Sequence, residues 1–175
     1  MKRLMILAAS ILFASFSFAQ KKEVKQASSN PSDQPYKIGA TKIALGNQAY
    51  SQKVLWAWKY YDDNTFDKGA DLFADDAIAT LPDGSMFKGK DNIMKAVKDY
   101  RNSFASAVST VDAVVTLQSP DVPDREVTTI WGSETDTSKD GTVSKVHLNE
   151  VWFFNKAGKV VELHQLAAKE PPEQK

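Results

Sequence analysis

Apolar side chains recur at helical spacing in the first half of this chain and alternate in the second. Tyr50, Val54, Ala57, Trp58 and Tyr61 fall on one face of a helix across residues 47–62. Asp62-Asp63-Asn64 interrupts it, and Asn64 or Thr65 can cap a short second helix striped by Phe66, Gly69, Ala70 and Phe73. Ala77 to Leu81 reads as a strand, Pro82-Asp83-Gly84 as a tight turn, and Ser85 to Lys88 as the return strand. Ile93, Ala96, Val97, Tyr100 and Phe104 stripe a third helix. Segments 107–117, 125–136, 142–154 and 158–167 then alternate and are rich in Val, Thr, Trp and Phe. Pro- and Gly-containing turns at 119–123, 138–141 and 155–158 separate them. Helices first and long strands afterwards predict an α+β fold. Strands of this length on one sheet bend strongly. The expected architecture is a cone-shaped, strongly curved antiparallel sheet with three N-terminal helices packed on its concave face.

The flanks lack such patterning. Met1-Lys2-Arg3 is basic, Leu4 to Phe16 is apolar, and Ser17-Phe18-Ala19 offers small residues at a cleavage site. Residues 1–19 therefore read as a signal peptide, with the apolar run shorter than a membrane span. Export follows, to the periplasm or beyond. Residues 20–37 read as a disordered linker and 169–175 as a disordered tail, leaving one domain over 38–168.

Composition narrows the partners. The full chain has 22 basic and 22 acidic residues, and loss of Lys2 and Arg3 leaves a net charge of −2. With no basic excess, nucleic acid is not an expected partner. The absence of cysteine excludes disulfides, thiol catalysis and a lipidated N-terminal cysteine. No membrane attachment is expected after cleavage.

Parity along the last hairpin singles out its polar residues. Val146, Leu148, Glu150, Trp152 and Phe154 share one face, matched by Val161, Leu163, Gln165 and Ala167 on the next strand. A four-residue turn at 155–158 makes Glu150 and Gln165 diagonal neighbours on this apolar, inward face. A carboxyl in an apolar setting suits a general base or acid; a Glu held as a polar plug by Gln165 or a helix Tyr or Trp is the simpler role. A four-residue loop at 138–141 would put Thr129 across from Glu150 and turn Val127 and Trp131 inward. The opposite face carries Val151, Phe153, Val160 and Leu166 with His147, Glu162 and His164. Two His without a short fixed spacing do not make a metal site; the apolar residues predict a homodimer through this face.

The same residues carry a resemblance. Trp56-Ala-Trp58 with Phe73-Ala-Asp-Asp76, then Leu81-Pro-Asp-Gly84 with Phe87-Lys-Gly89-Lys90, then His147-Leu-Asn-Glu150-Val-Trp-Phe-Phe-Asn155 with Gly158-Lys159-Val160, follow one another across 45–168. Their order resembles the nuclear-transport-factor-2-like superfamily, in particular its SnoaL-like branch and, within it, secreted bacterial members of unknown activity. The resemblance implies a pocket between sheet and helices, in a group holding isomerases, dehydratases, cyclases, epoxide hydrolases and non-catalytic proteins. Fold alone does not choose among them. The epoxide-hydrolase pattern needs Asp-Arg-Asp, and neither Arg101 nor Arg125 reads as adjacent to two inward Asp. The ketosteroid-isomerase pattern needs a Tyr, which Tyr60 or Tyr61 supplies, and a second acid, for which the sequence shows no candidate.

The expected function is an exported pocket protein binding a small, mostly apolar ligand, with no cofactor and no metal. Trp58, Tyr61, Trp131, Leu148, Trp152 and Leu163 would line the pocket, and Glu150 and Gln165 would orient the ligand. The alternative is a cofactor-independent isomerase, dehydratase or cyclase. There Glu150 is the general base and Gln165 stabilises the oxyanion.

Overall fold

The computed structural model of the protein describes residues 35–170. The expected signal peptide lies outside them, as do most of the linker and residues 171–175. The compact unit begins at Ile38. It opens with a two-residue strand, β1 (Ala44–Leu45), and helix α1 (Ala49–Asp62). A 3-10 helix (Phe66–Leu72) leads into β2 (Phe73–Thr80) and β3 (Met86–Lys88). Helix α2 (Lys90–Asn102) precedes four long strands: β4 (Phe104–Gln118), β5 (Arg125–Ser138), β6 (Val143–Asn155) and β7 (Val160–Lys169). The fold is α+β, with three helical segments and a curled seven-stranded sheet in the order β1-β4-β5-β6-β7-β2-β3.

The sheet departs from expectation in one pairing. β2 runs parallel to β7, so the sheet is mostly rather than wholly antiparallel. A short strand reached through helices, not a hairpin, is free to join in this sense. Asp75 and Asp76 lie in β2 and remain exposed. β7 extends to Lys169, and Glu170 pairs with Lys145.

The core lies between helices and sheet. Val54, Ala57 and Trp58 of α1 and Ile93 and Met94 of α2 pack with Phe73, Ile130, Trp152 and Phe154. Tyr50 stacks on Phe154 at 4.4 Å between ring centroids. A buried chain of hydroxyls, Ser51–Thr116–Thr128, ties α1 to β4 and β5 with contacts of 2.8 Å each. Asp112 is the extra residue where the β4–β5 register slips between Val111 and Ala113.

Gly132 in β5 decides how closely α1 approaches the sheet. A Cβ there would clash with the Thr110 carbonyl oxygen and sit 3.0 Å from the Trp58 ring. Backbone cannot move aside cheaply. Gly132→Ala is therefore expected to lower stability by about 3 kcal/mol, at the upper end of overpacking costs. Chemical denaturation of both forms measures it.

Candidate functional site

β5 and β6 are adjacent and antiparallel, and their inward positions alternate. In β5 the buried residues are Thr128, Ile130, Gly132, Glu134 and Asp136; in β6 they are Leu148, Glu150, Trp152 and Phe154. Three inward carboxyls thus stand on neighbouring strands.

Glu150 is 6% exposed. Its Oε2 accepts from Trp58 Nε1 at 2.6 Å and from Trp152 Nε1 at 3.0 Å, and its Oε1 from Gln165 Nε2 at 2.7 Å. Burial pushes its pKa up; the three N–H donors oppose that shift. All three partners are donors, matching the ionised form. Gln165 lies directly opposite Glu150, because the β6–β7 register contains a bulge between Phe153 and Phe154. The same bulge turns Val160 fully inward, correcting its expected outward placement. Trp58, Trp152, Leu148 and Leu163 are all buried around Glu150, with Tyr61 packed against the same core.

Trp131 is not among them. It is 41% exposed, on the opposite face of the sheet. The β5–β6 ladder pairs Ile130, not Thr129, with Glu150. The loop closes over residues 138–142, from Ser138 N–H to the Thr142 carbonyl at 2.8 Å, so it is one residue longer than expected. One residue of slip turns a whole strand over. Val127 and Thr129 move outward with Trp131, and Glu134 and Asp136 move inward.

This second carboxyl pair was not found by sequence reasoning. Glu134 is 8% exposed and Asp136 4%. Each acts on the other's ionisation. Asp136 Oδ1 is sealed from solvent and has no hydrogen-bond partner among the described residues. Burial first, then the Asp136 charge, raises the Glu134 pKa to about 9; the charges of Glu150 and Asp62 add to it. Asp136 is raised by burial as well, opposed by its bond to Glu134 and by Arg101. The pair lies where α1 and α2 end, and helix C-termini disfavour negative charge.

Tyr61, Tyr100 and Arg101 complete the surroundings. The Tyr61 hydroxyl is buried without a hydrogen-bond partner among the described residues. Burial and the charges of Glu134 and Asp136 hold it neutral, above the ordinary tyrosine range. Tyr100 is raised by burial and by the same two carboxyls. Arg101 is buried, yet its nitrogens donate to the carbonyls of Tyr61 (2.9 Å), Asp62 (3.0 Å) and Phe104 (3.4 Å). Arg101 lies beside one inward Asp, Asp136, and not two; Tyr61 has the Glu134 and Asp136 carboxyls beside it. The acids beside Tyr61 correct the expectation from sequence, which had no candidate for them. An alternation test with a five-residue loop would have exposed them.

Two surface clefts lie away from this interior. One, of about 260 Å³, runs between β3 and α2 beside Met86, Lys88 and Lys95. The other, of about 390 Å³, lies beside Asp76, Arg125 and Glu162.

No protein-family model matches the chain, and no curated protein matches it. Solved structures do. An NTF2-like protein of unknown function from Exiguobacterium sp. 255-15 superposes with a TM-score of 0.53 at 20% identity, over 71% of this chain and 100% of that one. The chain has the NTF2-like fold. A hexachlorocyclohexane dehydrochlorinase, LinA type 2, reaches a TM-score of 0.62 at 11% identity, over 73% of this chain and 88% of that one. A protein from Shewanella denitrificans OS-217, provisionally named a SnoaL-like polyketide cyclase, reaches 0.57 at 8% identity, over 70% and 92% of the two chains.

Glu134 also sets a pH dependence. From the ordinary carboxyl range up to about pH 9 the folded chain holds a proton that the unfolded chain has lost. Stability must then fall as pH rises, by at most about 1.4 kcal/mol per pH unit for one proton. Glu134→Gln keeps the donor and removes the titration. The variant is expected to gain thermal stability over the parent at about pH 8 and little at about pH 5. Thermal unfolding at both values checks the sign.

Proposed function

We propose that this protein binds a small, mostly apolar molecule between the helices and the curled sheet, closed there into a cone. The polar end of the pocket is formed by Tyr61, Glu134 and Asp136. The observation that carries this reading is a contrast between two buried polar sites. Glu150 has its donors from within the fold and serves as an anchor that fixes Trp58, Trp152 and Gln165. The Tyr61 hydroxyl is buried beside two carboxyls and has no partner among the described residues. A pocket with apolar walls and a few convergent polar groups is the usual form of a small-molecule site. The signal-like residues 1–19 support action outside the cytoplasm.

Titration of tryptophan fluorescence with a library of apolar metabolites tests the reading. Trp58 and Trp152 report from the pocket wall. A response is expected that Tyr61→Phe weakens roughly tenfold, the loss of about one hydrogen bond. Glu150→Gln is expected to lower stability instead, because an amide cannot accept all three donors. No response across a broad library would end the proposal.

A second reading, proton-transfer catalysis without a cofactor, draws on the same pair. Glu134 carries a proton at neutral pH beside a neutral Tyr61 hydroxyl, an arrangement suited to a general acid. Glu150 and Gln165 are the weaker candidates for it, since each holds the other.

A homodimer through the outer sheet face belongs to the same proposal. With Val160 buried, the apolar set is Trp131, Val151, Phe153 and Leu166, and Leu166 is 54% exposed. Trp131, Asn149 and Leu166 form one row across β5, β6 and β7. Trp131→Lys is expected to convert dimer to monomer at tens of micromolar, where an interface of about 1,600 Å² would hold. Sedimentation of the parent as a monomer there would reject the dimer.

A further inference from the structure

We propose that the surface cleft between β3 and α2 takes a short extended peptide with an acidic side chain, which adds to the sheet beside β3. The site stands apart from the interior described above. The argument starts from the backbone. β3 stands at one end of the sheet and pairs with β2 alone. Leu81 N–H donates to the Ser85 carbonyl at 2.9 Å, and Gly89 N–H to the Ala77 carbonyl at 2.8 Å. Ser85, Phe87 and Gly89 therefore turn their backbone groups toward β2, and Met86 and Lys88 turn theirs outward. The Lys88 carbonyl shows the direction, since it accepts from Asn92 Nδ2 of α2 at 2.8 Å. The Met86 N–H and carbonyl and the Lys88 N–H have no partner among the described residues.

The other edge of the sheet is closed by contrast. β1 covers one end of β4 through Ala44 and Leu45. The Asp62 carboxylate accepts from the Ser109 N–H at 3.1 Å, and the bulge at Asp112 interrupts the pairing line. Devices of this kind keep another strand from adding. The β3 edge instead opens into the cleft of about 260 Å³, which Asn92, Lys95 and Ala96 of α2 wall on the far side. A free strand edge beside a helix suits strand addition: main-chain bonds supply affinity, and alternate side chains supply specificity.

Charge selects the occupant. Lys95 pairs with Asp99 along α2, Lys90 with Asp75, and Lys98 with Asp67. Lys88 is exposed and has no acidic partner among the described residues. The cleft thus carries one uncompensated ammonium, beside the free backbone groups. An acidic side chain across from Lys88 on an added strand pairs with it, and a basic one is repelled. Met86, 56% exposed, offers an adaptable apolar contact at the same edge. Because β3 spans only 3 residues, the added segment is short and few main-chain bonds hold it.

The test is amide NMR of the isotope-labelled parent chain, titrated with end-capped peptides to about 2 mM, where millimolar binding is read. The peptides are Thr-Val-Glu-Val-Thr, its counterparts with Gln or Lys at the centre, and the Glu peptide N-methylated at every amide. The Met86 and Lys88 amide signals are expected to shift. The Glu peptide should bind roughly threefold tighter than the Gln peptide, with the Lys peptide weakest. The N-methylated peptide should not bind. Lys88→Gln should hold the Glu and Gln peptides equally. No shift at Met86 and Lys88 with any peptide would overturn the proposal. So would shifts around Val111 on β4 instead, which place the strand at the other edge, and so would binding that N-methylation leaves intact. Equal binding of the Glu and Lys peptides, or a preference that survives Lys88→Gln, would overturn the acidic partner. Shifts at Met86 and Lys88 that follow protein concentration without peptide would give the cleft to a second copy and overturn the proposal as well.

Discussion

The Glu150 carboxylate holds this fold together at the point where its parts converge. Trp58 comes from α1, Trp152 from β6 and Gln165 from β7, and all three donate to one buried group. Burying a carboxylate is expensive, and removal of a partner leaves the charge exposed to an apolar medium. The helix is thereby fixed in both distance and rotation against the sheet. Gly132 is the complementary constraint, since it leaves room for the Trp58 ring to reach Glu150 at all.

Glu134 and Asp136 show the opposite outcome for the same residue types on the next strand. They face the same interior as Glu150 but meet no N–H donors. Arg101, close enough to lower the Asp136 pKa, satisfies the carbonyls at the end of α1 instead. Glu134 answers by keeping its proton up to about pH 9. All three are raised by burial; the N–H donors that oppose it at Glu150 are what Glu134 lacks. That difference moves the chemically interesting end of the pocket away from the residues first expected to carry it.

The outer face follows from the same alternation. Outward residues alternate with the inward ones along β5 and β6, and Trp131 is the largest of them. Placed outside, it joins Leu166 in an apolar row that no helix of this domain covers. One register therefore sets both the polar end of the interior and the composition of the exterior.

Much of this was legible in the residues, and its limits have a physical cause. Helical spacing of Val54, Trp58 and Tyr61, and alternation from Val146 to Phe154, determined the elements, their order and the inward position of Glu150. Those signals are local. Burial of β6 on one face must appear as period two in its own sequence. The inward face of β5 has no such mark, because Glu134 and Asp136 read as solvent-facing residues and Trp131 as core. Only the pairing of Ile130 with Glu150, set by one residue of loop, decided otherwise. The partners of Glu150 were likewise a tertiary matter: Trp58 lies 92 positions away in the chain. Sequence by itself determined which segments would be helix or strand; the tertiary structure decided which carboxyl met a donor, because register and distant neighbours have no local period.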